Sequence, residues 1–328
     1  MARYTQTILA ANQAITVDGD VTYDLPVQPL SVVLLHISPL NETATIGNFR
    51  LLEALLSAID NINVTFRGSS VFQMNAVDAA VLAMLWHRVH IWQSNAVETN
   101  DVRRSIVIPI IFGRRAFLQA ECFPSTKKGE LLLTCRWDIA DTGFDGLRIS
   151  IETIELPGAT PDFVQKATTI ARTLTATGRN EIDLPIGNVL RGVLCFGTTA
   201  FLGATPAPTL GELQLFRNNS QEYISASDFE VLRTVAGLKG VYWPPDMRHI
   251  HSVNAAGVAR EDTLEPGVGA EISDTYALID LDPTWDDTYS MVTEGAGRVH
   301  LVMDAETADA VRLVPIERVP SGRFLESV

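Results

Sequence analysis

Lysine is scarce in this chain of 328 residues: there are four, against twenty-one arginines. The densest basic clusters are mere pairs, Arg103-Arg104, Arg114-Arg115 and Lys127-Lys128. With a formal net charge of −14, no run of side chains is able to neutralise a stretch of phosphates, so no direct nucleic-acid partner is expected. The arginine bias has two readings: arginine-rich protein contacts, or a coding sequence rich in G and C. Charge as a whole is also low, at 20% of residues against about 25% in typical soluble domains. Either surface is hidden against other subunits, or the fold buries many short strands. Cysteine is limited to Cys122, Cys135 and Cys195, an odd count without a CxxC. They read as small buried hydrophobes in a reducing compartment, not as a disulfide framework or a zinc site. No stretch approaches the roughly 18 consecutive apolar residues of a membrane-spanning helix. The opening MARYTQTILAANQ has no basic region followed by an apolar one, so no secretory signal is read there. Absent too are GxSxG, the P-loop, HExxH and GxGxxG, and with them the commonest nucleophile, nucleotide and zinc chemistries.

Period-two alternation is abundant. In residues 130–139, Leu131, Leu133, Cys135, Trp137 and Ile139 share one face, the mark of a half-buried strand. Residues 148–156 alternate through Ile149 and Ile151 and then shift phase at Ile154 and Leu156, which predicts a bulge. Further strands are expected at 21–25, 30–37, 62–66, 106–112, 191–196, 212–216, 275–281, 298–303 and 310–319. Pro109 places its strand at an edge or bulge. Helices are few: 46–59 carries a helical apolar stripe, and others are expected from Ala76, near Pro161 and from Ala226. Many short strands with Gly/Pro-rich turns argue for β-sandwich domains.

The chain also repeats itself. FRGSSVFQMNAVDAAVL from Phe66 and FRNNSQEYISASDFEVL from Phe216 align without a gap at an offset of 150, with seven of seventeen positions identical. Each copy reads as strand, polar turn and helix start, with Arg67 and Arg217 opening the turns. Asn75 and Ser225 are the expected N-caps, and Asp78 and Asp228 the acids at the third helical position, as in a capping box. A second pair, Asp24-Leu25-Pro26 and Asp183-Leu184-Pro185, precedes an apolar strand at an offset of 159. Pro26 and Pro185 would end one strand before the next begins. The expected division is an N-terminal jelly roll over 1–160, a linker with a helix over 161–180, and a C-terminal jelly roll over 181–328.

These two elements resemble the double jelly-roll major capsid proteins of the adenovirus, tectivirus and corticovirus lineage. The resemblance lies in VTFRGSSVFQMNAVDAAVL and LQLFRNNSQEYISASDFEVL, in YDLPVQPLSVVLLHI and IDLPIGNVLRGVLCF, and in the closing stretch TYALIDLDPTWDD with GRVHLVMDAETADAVRLVPIERV. It covers nearly the whole chain as a pattern and is weak in letters. It implies an all-β fold of two tandem eight-stranded jelly rolls with a few short helices. It implies a non-enzymatic subunit of a virion shell, made in a host cytoplasm, forming pseudo-hexagonal homotrimers that tile an icosahedral capsid. Implied partners are other copies, penton and minor capsid proteins, and an internal membrane met by an N-terminal arm, residues 1–12. No cofactor is implied. Lateral contacts between such trimers are heterologous and extend into a lattice.

Other chemistries leave weaker traces. His249 and His251 form an HxH like that of dicupin enzymes, but positions 255 and 256 are Ala and no turn glycine precedes the pair. His87 and His90, beside Trp86 and Trp92, read as core or interface. Asp280, Asp282, Asp286 and Asp287 crowd DLDPTWDDTY without the glycine or spacing of an EF-hand loop. They read as a solvated strand end rather than a cation site. Trp243 and Trp285 are the loop aromatics that a carbohydrate- or receptor-binding sandwich would use, which is the alternative function. An enzyme on the same fold is a further alternative.

Overall fold

The computed structural model describes residues 3–41, 56–89, 91, 93–94, 103, 105–139, 144–198, 209–239, 252–253, 259–260 and 275–325. The chain divides into two units. The first comprises Met1–Val164, Trp243–Ile272 and Ser321–Val328, and the second Gln165–Tyr242 and Ser273–Pro320. Among the described residues of the first unit the strands are β1 (Thr5–Ala14), β2 (Gly19–Asp24), β3 (Leu30–Asn41), β4 (Ile59–Phe66), β5 (Ser69–Met74), β6 (Gln93–Ser94), β7 (Ser105–Ile111), β8 (Leu131–Trp137) and β9 (Phe144–Glu155). The chain leaves this unit along β10 (Phe163–Thr168). The second unit holds β11 (Ile170–Thr173), β12 (Gly178–Asp183), β13 (Val189–Gly197), β14 (Glu212–Arg217), β15 (Gln221–Asp228), β18 (Tyr276–Asp280), β19 (Met291–Val292), β20 (Val299–Ala305) and β21 (Ala310–Pro320). A small ladder, β16 (Ser252–Val253) with β17 (Ala259–Arg260), interrupts the second unit in sequence.

Each unit stacks two antiparallel ladders. In the first, one sheet runs β1-β9-β3-β7-β6 and the other β5-β4-β8-β2. In the second, β18-β13-β21 is flanked by β11 on β21, and the opposing sheet runs β15-β14-β20-β12. The correspondence is residue for residue. Gly19 pairs with Trp137 and Asp24 with Leu132; Gly178 pairs with Ala305 and Asp183 with His300. The inward positions correspond as well. Leu131, Leu133, Cys135 and Trp137 are buried on β8, and Val299, Leu301, Met303 and Ala305 on β20. Alternation on a pleated strand sends these side chains to one face, and each large one buried contributes roughly 1.5–3 kcal/mol. The second unit's core gathers Leu190, Val193 and Cys195 from β13 with Leu213, Leu215, Leu301, Met303, Val311 and Leu313. Burial pushes the thiols of Cys122, Cys135 and Cys195 up to about 12, so all three stay protonated and unreactive at neutral pH.

The expected all-β architecture of two jelly rolls is the one observed, with some differences in detail. The segment near Pro161 is strand rather than helix: β10 and β11 lie within Phe163–Thr173, with Val164, Gln165 and Ala167 buried. Its β-branched Val, Thr and Ile fit a pleat better than a helix. The linker expected at 161–180 is therefore sheet. The last residues, from Ser321, pack with the first unit. Ser321 N donates to Asp162 O at 2.9 Å, and the Phe324 ring lies 5.1 Å from Phe123 and 5.8 Å from Phe66. The apolar stripe expected as a helix over 46–59 falls mostly outside the described residues, and Ile59 opens β4. The stretch read as an arm over 1–12 is largely strand: β1 runs from Thr5, pairing Thr5 with Glu155 and Ala14 with Arg148. Its Thr and Ile residues and its lack of charge favour a ladder. The phase shift near Ile154 corresponds to a bulge at Leu30/Val32 in the facing β3. Pro109 pairs with Leu34 on β3; on the other side of β7, β6 reaches only Ser105 and Ile106, so the missing N–H costs no ladder bond there.

Candidate functional site

For a chain whose ladders repeat, the informative places are turns, loops and free edges. The β4–β5 hairpin turns through Arg67 and Gly68, both at positive φ (49° and 82°). That pattern suits a two-residue primed turn. Arg67 N donates to Glu130 O at 2.8 Å, and its guanidinium pairs with Glu130 at 2.9 Å. The second hairpin turns through Asn218 and Asn219, at φ 56° and 60°. Here Asn218 N donates to Arg298 O at 2.8 Å, and the Asn218 side chain accepts from Gly297 N at 2.7 Å. The structural counterpart of Arg67 is therefore Asn218, and Arg217 stands where Phe66 stands. Arg217 pairs with Val299 as Phe66 pairs with Leu131. The true offset is one residue longer than the aligned letters suggest. A one-residue slip turns side chains to the other face: Phe66 is buried, whereas Phe216 stacks on His300 at 5.3 Å.

The helices after the hairpins differ too. The helix Ala76–Leu85 is capped by Asn75, whose side chain accepts from Asp78 N at 2.7 Å. Asp78 is the third helical residue and fully buried. In the second unit β15 continues to Asp228 and the helix is Phe229–Gly237. Ser225 lies in the strand, and Asp228 is itself the N-cap, without a side-chain cap bond. Two extra strand residues and a longer turn shift the helix start, so the capping box expected from Ser225 and Asp228 does not form. The first helix is buried almost all round. The second buries Phe229, Leu232 and Ala236 and exposes Val231, Val235 and Leu238.

Pro26 and Pro185 mark equivalent strand exits. Leu25 N donates to Leu131 O at 3.0 Å, and Leu184 N to Val299 O at 2.8 Å. The next residue, proline, offers no N–H, and the ladder stops. The preceding acids tie down neighbouring turns: Asp24 accepts from Gly129 N at 3.0 Å, and Asp183 pairs with Arg298 at 2.5 Å.

The acidic cluster of DLDPTWDDTY is the most heavily wired loop among the described residues. Arg191, with no exposed surface, grips Asp287 through Nε at 2.6 Å and through a terminal nitrogen at 3.0 Å. Arg318 reaches the same carboxylate at 2.8 Å. Lys239 pairs with Asp280 at 3.0 Å, both side chains almost wholly buried, with the ammonium 4.0 Å from the Trp285 ring centroid. Asp282 accepts from Asp287 N at 2.8 Å. Asp286 is held well below the usual carboxylate range by hydrogen bonds from Thr284 and Thr288. The solvated strand end expected here is instead a partly buried ion-pair hub that consumes the carboxylates internally. Trp285 takes part in it rather than standing ready for a sugar. Among the described residues no group of three or more metal-ligating side chains gathers. His87 is part-buried with a ring nitrogen 3.3 Å from Arg114 O; His90, Trp92, Trp243, His249 and His251 lie outside the described residues. The sequence signal for the hub was the acid cluster; its partners Arg191 and Arg318 are distant in sequence and carry no motif.

Among the described residues the sheets end at β1, β2, β6, β12, β15 and β18. β1 carries no charged residue and no proline, and Ile8 is 62% exposed. Long uncharged edges of this kind are templates for pairing.

No protein-family model matches the chain, and no curated protein matches it by sequence. Solved structures do. The major capsid protein of bacteriophage PM2 aligns with a TM-score of 0.66 at 12% identity, covering 97% of this chain and 98% of that one. The major capsid protein of Sulfolobus turreted icosahedral virus gives 0.68 at 13%, covering 99% and 100%. A chain of the PBCV-1 virus capsid gives 0.58 at 9%, covering 97% and 94%. The chain has the double jelly-roll fold of these capsid proteins.

Proposed function

We propose that this chain is a major capsid protein, the repeating structural subunit of an icosahedral virion shell. The observation that carries the reading is the end-to-end likeness to capsid subunits. Coverage is 97% or more in both directions. The internal repeat supports it: two units with matching ladders let a trimer present a near-sixfold outline. The chemistry is consistent. The acids and arginines that could have formed a catalytic or cation site are spent on holding loops, as at Arg191, Asp287 and Arg318. The charge fraction of 20% fits a protein that commits much surface to permanent contacts. In this reading the subunit forms homotrimers, the trimers contact lattice neighbours, and penton and minor capsid proteins complete the shell. The stretch Thr5–Ala14 is paired in the sheet rather than free as an arm.

The test is the solution mass of the purified protein by light scattering behind a sizing column, with negative-stain images of the same fractions. A mass of three chains with a hexagonal outline is expected. A monomer at every concentration, with no sheets or shells, overturns the reading.

A further inference from the structure

Lysine is the scarce base of this chain, four against twenty-one arginines, and one of the four lies in the interior. Lys239 follows the helix Phe229–Gly237, which packs on β18. Its side chain is 1% exposed, and that of Asp280, the last residue of β18, is 2% exposed. Lysine is almost never buried so fully. For an ion pair alone arginine is the better choice, because its planar fork matches a carboxylate and is more weakly hydrated. The chain makes that choice in the same loop, where Arg191 holds Asp287. What lysine has and arginine lacks is a primary amine that can give up its proton and act as a nucleophile.

The geometry suits that chemistry. Lys239 Nζ lies 3.0 Å from Oδ2 and 3.2 Å from Oδ1 of Asp280. An amine within reach of both oxygens is about 3–3.5 Å from the carbon between them, a near-attack separation. Oδ1 also accepts from Asp282 N at 2.9 Å, a backbone donor placed to hold the charge that develops on that oxygen. The Trp285 ring centroid is 4.0 Å from Nζ, and Asp282 has no exposed surface, so bulk water is kept off the pair. Two charges held in such a place carry a desolvation cost that their attraction only partly offsets. An amide carries neither charge.

From this we infer that Lys239 and Asp280 condense into an isopeptide bond. Two protons pass from the ammonium to Oδ2 along the 3.0 Å contact. The Nζ–Cγ bond forms, the Cγ–Oδ2 bond breaks, and Oδ2 leaves as water. Oδ1 remains as the amide oxygen, still held by Asp282 N. The step consumes no oxidant, metal or cofactor. It ties the residue after the helix to the strand beneath it, 41 positions apart in sequence. A link of that span restricts the unfolded chain much as a disulfide does, in a protein whose three cysteines are all free. The bond is independent of the capsid reading.

The test is the intact mass of the purified full chain, measured in denaturant after native folding has been checked by a cooperative thermal melt, followed by tryptic mapping. The wild type should be lighter than its sequence mass by one water. Its map should hold a branched peptide that joins Lys239, uncut by trypsin, to the segment containing Asp280. Lys239→Arg keeps the cation but cannot form the bond, so it should show its full sequence mass. Asp280→Asn should reach the same final mass as wild type, because the same amide forms with loss of ammonia in place of water. A folded wild type at its full sequence mass overturns the inference. So does a loss of water that persists in Lys239→Arg, which would place the dehydration elsewhere, as in a succinimide at Asp145-Gly146.

Discussion

The two units share their ladders and differ in how they fasten the loop that leaves the strand beside the core of each sandwich. In the first unit the loop after β7 returns to Ser31. Phe112 N donates to Ser31 O at 3.1 Å, and Phe117 N donates to the Ser31 hydroxyl at 2.9 Å. In the second unit the same place is Arg191. Leu281 N donates to Arg191 O at 2.8 Å, and the guanidinium holds Asp287 from the loop tip. Both loops carry a bulky non-glycine residue in the left-handed region, Phe117 at φ 64° and Trp285 at φ 63°, with Asp287 at 64° as well. Such conformations cost on the order of 1–3 kcal/mol each and persist only when the surroundings over-determine them. One unit pays with a hydroxyl and a backbone ladder, plus the buried Arg114–Glu121 pair at 2.8 Å. The other uses a fully buried guanidinium shared with Arg318 around one carboxylate. A fold tolerates either solution because the ladder fixes where the loop starts and ends.

The largest expected effect breaks this comparison on the side of the second unit. Asp287→Ala leaves Arg191 buried without its counter-charge, and should cost about 3–5 kcal/mol. Ser31→Ala in the first unit loses one neutral hydrogen bond and should cost only about 1 kcal/mol. Denaturant unfolding of both variants checks the ratio, and hydrogen exchange shows which unit loosens. The double variant Arg191→Met with Asp287→Leu sharpens it: removing both charges together should recover most of the loss. Equal costs for Asp287→Ala and Ser31→Ala would show that the guanidinium is not the anchor.

A second contrast lies in the central strands. His300 on β20 corresponds to Leu132 on β8, since Asp183 pairs with the one and Asp24 with the other. Burial, and then the neighbouring Arg298, lower the His300 pKa, while Glu181 and Asp183 pull weakly the other way. The folded state thus binds its proton less readily than the unfolded chain, whose histidines titrate near 6.5. The second unit's stability is complete above that pH. It falls as the pH drops from about 6.5 toward the lowered folded value, by at most about 1.4 kcal/mol per pH unit for one proton. His300→Leu, which copies the first unit, should flatten that slope. A melting profile between pH 7 and 5 that is the same for both proteins would show that another group titrates.

Much of this was legible in the sequence, for a physical reason. A strand with one face buried writes its period into its letters, so the ladders around Leu131–Trp137 and Val299–Ala305 and their repetition could be read. The DLP exits were legible because proline removes a donor wherever it stands. The strands β1, β11 and β15 were not, because edge strands bury little and their letters carry no alternation: β15 reads QEYISASD. The one-residue slip between the hairpins was hidden because identical letters, Phe66-Arg67 and Phe216-Arg217, already sit one position apart in the two ladders ahead of the turns. The ion-pair hub was hidden because Arg191 reads as one polar residue in an apolar strand, and its partner lies 96 residues away.

The smallest effects lie at the helix starts, where that slip has its clearest consequence. Asn75 caps its helix with a real side-chain bond to Asp78 N, so Asn75→Ala should cost about 1 kcal/mol. Asp228 stands at the same position and makes no such bond. Its carboxylate helps only through the positive end of the helix, worth about 0.3–1 kcal/mol at low salt and less as salt rises. Asp228→Ala should therefore cost less than Asn75→Ala, and the difference should widen in high salt. Ser225→Ala, in the strand, should move nothing that denaturant unfolding can resolve. If Ser225→Ala instead costs as much as Asn75→Ala, the second helix begins at Ala226 in solution, and the two repeats are in the register their letters suggest.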